Sequence, residues 1–322
     1  MTAPMPSETT ARAVAFVAAR RDPAEAFGRS LADLSNDPDA FASALTAGLA
    51  SLADPAYLAG QQRVAPGIGA VHGVRWPLLA AVERGFRQAT RGDRPTPLLF
   101  IADRLFRERE LESRWFAFGL LERTLGTETE RTWQLLRRAA REAGDWITVD
   151  SLAHPYANGI AAEPYRWAEL DQLIYSASRW ERRLVGSTIA TMTHASGSRR
   201  RDGDVAGHAL PLLAALMGDA EPDVQKALSW AYRSLASVDP AATEAALDAE
   251  TERATETADG YRAWVIRDSL AKLDPASADA LRDRLQGLRR RAGAPATSTA
   301  ARTAARFGTL PDPAHHPEPP LR

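Results

Sequence analysis

The chain has 322 residues, 45% of them hydrophobic and 25% charged, with a formal net charge of −1 and no cysteine. That is enough apolar mass for a substantial core, while near-neutrality excludes a uniformly basic nucleic-acid-coating protein, so any DNA binding must come from charge gathered on one face. The missing thiols exclude disulfides, thiolate catalysis and every cysteine-containing metal site. No apolar run reaches the roughly 18–20 uncharged residues of a membrane span, and Met1–Thr10 lacks the basic-then-apolar pattern of a signal peptide, so a cytoplasmic protein is expected.

In chain order, residues 1–50 read as an N-terminal helical extension with no assigned role. From about Thr9 to Arg291 the chain continues helix after helix, with apolar residues at three- and four-residue spacing and punctuation by Pro, Gly and Asp-Pro. Trp76–Thr90 opens with Pro77 where a first helical turn tolerates it, and Glu110–Leu125 places Leu111, Trp115, Phe118 and Leu121 on one face. Trp115, Trp133 and Trp180 are expected in the core. Residues 51–291 are read as one repeat domain. After Arg291 the composition turns to Ala, Thr, Pro and Arg, too poor in apolar residues to offset its ordering entropy, and 292–322 is expected to be a disordered tail.

The segments Ser113–Phe116, Thr148–Ser151, Arg182–Val185, Gln225–Leu228 and Ile266–Ser269 recur at the period of two-helix HEAT-like units. The fold expected is all-α, with helical repeats stacked into a curved solenoid. In four of the five segments the second position is basic (Arg114, Arg183, Lys226, Arg267), which would give the solenoid a basic concave face. Periodicity alone favours a protein-binding scaffold over a DNA enzyme, since a recurrent Arg can simply tie neighbouring helices together. Arg199–Arg201 reads first as a solvated loop and second as a phosphate contact. The histidines His72, His154, His194 and His208 lack the paired spacing of a metal helix, and Gly67-Ile68-Gly69 lacks the full glycine fingerprint of a phosphate loop, so neither metal nor cofactor is expected.

Three stretches carry a family likeness. Gly73-Val74-Arg75-Trp76-Pro77, Trp146-Ile147-Thr148-Val149-Asp150-Ser151, and Trp180-Glu181-Arg182-Arg183 with Val224–Trp230 together resemble, in order and register, the AlkD-like DNA alkylation repair proteins, a family of HEAT-like repeat DNA glycosylases. The resemblance covers about Asp54 to Leu273. It implies that Asp150 is the catalytic carboxylate, that Trp146 and Trp230 are aromatic walls for the lesion's deoxyribose, and that Arg183 contacts the DNA backbone; the other basic repeat positions, Arg114, Lys226 and Arg267, together with Arg182, are expected as further DNA contacts. The chemistry agrees. An N3- or N7-alkylated purine is already cationic, so its departure needs little protonation, and what remains is to stabilise an oxocarbenium-like sugar and position water. Trp146 and Asp150, four apart, fall on one helical face.

The activity implied is monofunctional hydrolysis of cationic N3-/N7-alkylpurines from double-stranded DNA by a monomer, without metal, membrane or base flipping. The alternatives are an inactive relative that binds distorted or branched DNA, and a protein-interaction scaffold. The sequence departs from the family pattern at Asp145 and Ile147, which flank the motif tryptophan where the family often carries Trp and Asp. No aromatic is evident around Gln62–Gly67.

Overall fold

Four of the Asp-Pro pairs that punctuate the sequence are helix starts, while Asp22-Pro23 lies inside the first helix. Asp37, Asp54, Asp239 and Asp274 each accept a 3.0 Å hydrogen bond from a backbone N–H two or three residues on, at Ala40, Ala56, Ala242 and Ala276. The proline that follows each of them takes the first helical position, where its missing N–H costs nothing. The computed structural model describes residues 7–65, 67–193 and 203–307, and these hold sixteen α-helices and no strand, only an isolated bridge between Ala70 and Glu110. The all-α helical-repeat class is therefore correct. None of the described helices is long and apolar enough to cross a membrane.

Contacts divide the chain into two units, Met1–Leu135 and Leu136–Arg322. The first contains α1 (Glu8–Ser30), α2 (Pro38–Ser51), α3 (Pro55–Val64), α4 (Trp76–Ala89), α5 (Thr96–Leu105) and α6 (Leu111–Thr124). The boundary falls inside α7 (Thr129–Glu142). The described part of the N-terminal extension, from α1 through α2, contributes to this unit's core. Phe41 of α2 is fully buried and meets Phe86 of α4 and Phe116 of α6, at ring-centroid distances of 5.2 and 5.8 Å. Burial of one such ring contributes about 1.5–3 kcal/mol. The α1–α4 contact is extensive, and it is made at backbone distance. A Cβ on Gly28 would overlap the Val82 carbonyl, and one on Gly85 the Glu25 carbonyl, so the two helices lock through reciprocal glycines. The Gly73-Val74 turn is anchored by a fully buried carboxylate: Glu112 accepts from the N–H groups of His72, Gly73 and Val74 at 3.0, 2.9 and 3.1 Å.

Between α4 and α6 lies Glu83, whose carboxyl is pushed up to about 7, first by burial and then by the like charge of Glu122, against the pull of Arg87. The unfolded chain releases this proton near its ordinary 4.5, while the folded chain keeps it until about 7, so stability falls as pH rises through that window. Glu83→Gln removes this group's share of the dependence. We expect the variant to gain about 1–3 kcal/mol over the parent at pH 8 relative to pH 5, since a tenfold change in the acidity of a group corresponds to about 1.4 kcal/mol. Thermal melts of both proteins at the two pH values check this, and a constant difference between them would show that Glu83 ionises normally.

The second unit is a row of successive helices, α8 (Trp146–Ala162), α10 (Arg179–Met192), α12 (Pro222–Leu235) and α14 (Gly260–Ser269), each packed on the next. A second layer of α9 (Trp167–Leu173), α11 (Gly203–Leu216), α13 (Pro240–Thr257) and α15 (Pro275–Arg284) completes the helix pairs. The tail expectation is overturned for residues 292–307. The chain returns after α15, bonds the Tyr261 hydroxyl through the carbonyls of Arg291 and Ala294 (3.1 and 2.7 Å), and forms α16 (Thr299–Ala304) against α11, with Ala300 1% exposed. Residues 308–322 and the run Arg199–Arg201 lie outside the described residues. Trp133 is core at 1% exposure, whereas Trp115 and Trp180 are half-buried and lie against Trp76 and Arg179 respectively.

Candidate active site

The α8 helix begins where it does because Asp145 caps it, accepting from the Thr148 N–H at 2.8 Å and the Thr148 hydroxyl at 2.6 Å. The departure from the family pattern at this position is thus a helix cap. Trp146 is the first helical residue, with no preceding turn to cover it, and its indole is 37% exposed. One turn on, Asp150 faces α10. There Arg183 donates from Nε to one carboxylate oxygen at 3.0 Å and from Nη2 to the other at 2.7 Å, and the Ser187 hydroxyl donates at 2.6 Å. Arg183 and Ser187 are themselves four apart, so two adjacent turns of α10 hold the carboxylate from one side. The third guanidinium nitrogen donates to the Asp223 carbonyl in the first turn of α12 at 2.8 Å. The guanidinium carbon lies 5.8 Å from the centre of the Trp146 ring.

The carboxylate is therefore fixed by a bidentate ion pair yet keeps one open side, with side-chain exposures of 22% for Asp150 and 6% for Arg183. Such paired geometry is the strong form of charge-assisted hydrogen bonding. It offers an oriented negative charge beside an exposed aromatic face, a combination suited to a nearby cation. One turn beyond Asp150, desolvation pushes the His154 imidazole below its ordinary value, outweighing the opposite pull of Asp150.

The remaining expected residues are scattered. Trp230 is half-buried on α12, seven residues and thus two turns beyond Asp223, along the face whose carbonyl anchors Arg183. Lys226, one turn before Trp230, is exposed. Arg182 pairs with Asp219 at 2.7 Å and with the Ser176 carbonyl at 2.8 Å, which makes it a clamp between helices rather than an open cation. Arg183, 5% exposed overall, has its guanidinium occupied by protein acceptors, so a phosphate would reach it only by displacing one of them. Arg267 donates to the carbonyls of Leu285 and Leu288. Arg114 is half-buried in the other unit, on α6. The recurrent basic position is consequently no uniform row of open charges.

Sequence reasoning missed Ser187, although its four-residue spacing from Arg183 was a usable signal. It also missed a second arrangement of the same kind. Asp268 of α14 accepts from the Ser229 hydroxyl at 2.6 Å and from Arg233 at 2.7 Å on α12, and these bonds, against opposing burial, hold its carboxyl below the ordinary range. An Asp–Ser–Arg set thus joins adjacent row helices at two places, and the exposed Trp146 distinguishes the one at Asp150. No curated protein matches the chain. The family described as DNA alkylation repair enzyme matches residues 45–273, well over half of it.

Proposed function

The chain belongs to the DNA alkylation repair enzymes, and from that membership we propose that it hydrolyses the N-glycosidic bond of cationic N3- and N7-alkylated purines in double-stranded DNA. The observation that carries this reading is the oriented Asp150 carboxylate, open on one side, next to the exposed indole of Trp146. In the reaction the C1′–N9 bond breaks and its electron pair leaves with the purine, cancelling the lesion's positive charge. The sugar is left as an oxocarbenium ion, Asp150 supplies its countercharge, and water adds at C1′ with loss of a proton to give an abasic site. Trp146 and Trp230 flank the deoxyribose, each contributing cation–π attraction of about 0.5–2 kcal/mol. Arg183 and Ser187 keep the carboxylate aimed. Because carboxylate and indole stand at the surface, they can address the sugar while the base stays largely stacked, so no flipped-base pocket is required.

One observation favours a second reading, an inactive relative that binds distorted DNA. The Asp268 set shows that the same three residue types also serve simply to tie helices. Single-turnover excision from one duplex carrying N7-methylguanine, a bulky N3-alkyladenine or uracil separates the two. Release of both cationic bases and retention of uracil is expected. Efficient uracil removal sinks the charge-based mechanism, and no release of either cationic base leaves the binding protein.

A further inference from the structure

The segment that returns after α15 is held by its backbone and displays its side chains. Leu285 is fully buried, Arg267 donates to the Leu285 and Leu288 carbonyls at 3.2 and 2.9 Å, and the Tyr261 hydroxyl binds the Arg291 and Ala294 carbonyls. At the first turn of α14 the chain passes so close that a Cβ on Gly260 would overlap the Arg289 carbonyl. What this fixed backbone presents outward is Arg289, Arg290 and Arg291, all exposed. Arg290 is further oriented, its guanidinium carbon 4.5 Å above the Trp264 ring and one nitrogen donating to the buried Gln225 side chain at 3.0 Å.

Several arginines of this unit are neutralised: Arg182 by Asp219, Arg183 by Asp150, Arg233 by Asp268 and Arg262 by Glu250. Here they are not. Among the described residues Arg267, Arg289, Arg290 and Arg291 have no carboxylate in ion-pair distance, and Arg267 is pushed below its ordinary value by desolvation and then by the like charges of Arg289 and Arg290. A concentration of like charge costs folding energy unless an anion relieves it. The cluster also adjoins the candidate site, since α12 gives Gln225 to Arg290 and, two residues earlier, the Asp223 carbonyl to Arg183. Residues 289–291 lie beyond the family match at 45–273.

We propose that Arg289, Arg290 and Arg291 form a clamp for the phosphate backbone of duplex DNA beside the Asp150 site. It rests on the reading of the chain as a DNA enzyme, and adds a contact that the family motifs do not contain. Each phosphate neutralised releases counterions and adds about −0.9 to the slope of log affinity against log salt. The probe is an undamaged labelled duplex bound by the full chain between about 50 and 200 mM salt. Arg289→Ala/Arg290→Ala should flatten the slope by about one to two and weaken binding about tenfold at the upper end of that range. Arg289→Ala/Arg291→Ala, which leaves the Trp264 and Gln225 contacts intact, should do the same with an unchanged melting temperature. A steep slope in the parent that persists in both variants overturns the clamp while leaving the Asp150 reading intact. A parent with no salt-dependent binding overturns both. Binding to phosphatidylserine vesicles that the variants lose while the DNA slope holds assigns the patch to a lipid surface and overturns the proposal.

Discussion

Asp150→Asn is expected to lower single-turnover excision of N7-methylguanine about 10²–10³-fold, the usual effect of removing one oriented electrostatic contact to a developing charge. Its DNA affinity should hold within a few fold, because the amide keeps the shape and removes a negative charge that faces a polyanion. The structure adds a second effect. Asparagine leaves Arg183, its side chain only 6% exposed, facing a neutral oxygen, and breaking a buried pair from one side is destabilising. Since Asp150 is partly open, a loss of about 1–3 kcal/mol is expected, a fall of several degrees in melting temperature. Rates must therefore be compared well below both transitions, where parent-like excision by the variant would remove Asp150 from the mechanism. Ser187→Ala, which takes away one neutral donor at 2.6 Å and leaves the bidentate pair, is a milder control.

Gly85→Ala is expected to be among the most damaging single changes in the first unit, alongside Gly28→Ala. The added methyl would overlap the Glu25 carbonyl, a backbone atom in the middle of α1 that cannot swing aside as a side chain could. Either α1 and α4 separate, exposing the layer around Ala24 and Val82, both fully buried, or α1 unwinds locally. A loss of about 3 kcal/mol or more follows, at the upper end of overpacking effects, because both routes sacrifice an extensive helix contact. Thermal melting combined with limited proteolysis of residues 8–30 reads it directly, and a melting temperature within two degrees of the parent, about the size of a 1 kcal/mol change or less, would show that the helices do not depend on this close approach.

These cases mark where the sequence was readable. Helix starts were legible because Asp-Pro acts locally: the cap bond spans two or three residues, and the chemistry is written in the dipeptide itself. The Trp146–Asp150 pair was legible for the same reason, being set by one turn of one helix. Arg183 was legible as a recurrent basic residue but not as the partner of Asp150, 33 positions away, since periodicity says nothing of what faces a side chain across a helix contact. The N-terminal extension concealed its role because Gly28 and Gly85 matter through the atoms they leave out. The return segment looked unable to fold, as its composition offers few apolar groups. Yet it is held by hydrogen bonds to residues 30 to 79 positions earlier, such as the Thr297 N–H on the Gly218 carbonyl at 2.9 Å.

That return has a consequence for how the array of repeats ends. A stack of helix pairs has no intrinsic length: each row helix offers its neighbour the surface that it has itself used, and an uncovered last helix invites another copy to continue the series head to tail into a filament. Past α14 the place of the next row helix is taken by residues 285–291, whose backbone runs against Gly260 and whose carbonyls already occupy Arg267 and Tyr261. The segment is too irregular to be imitated by the first helix of another molecule. The cover is irregular rather than helical, and the side chains that it turns outward are the arginines 289–291.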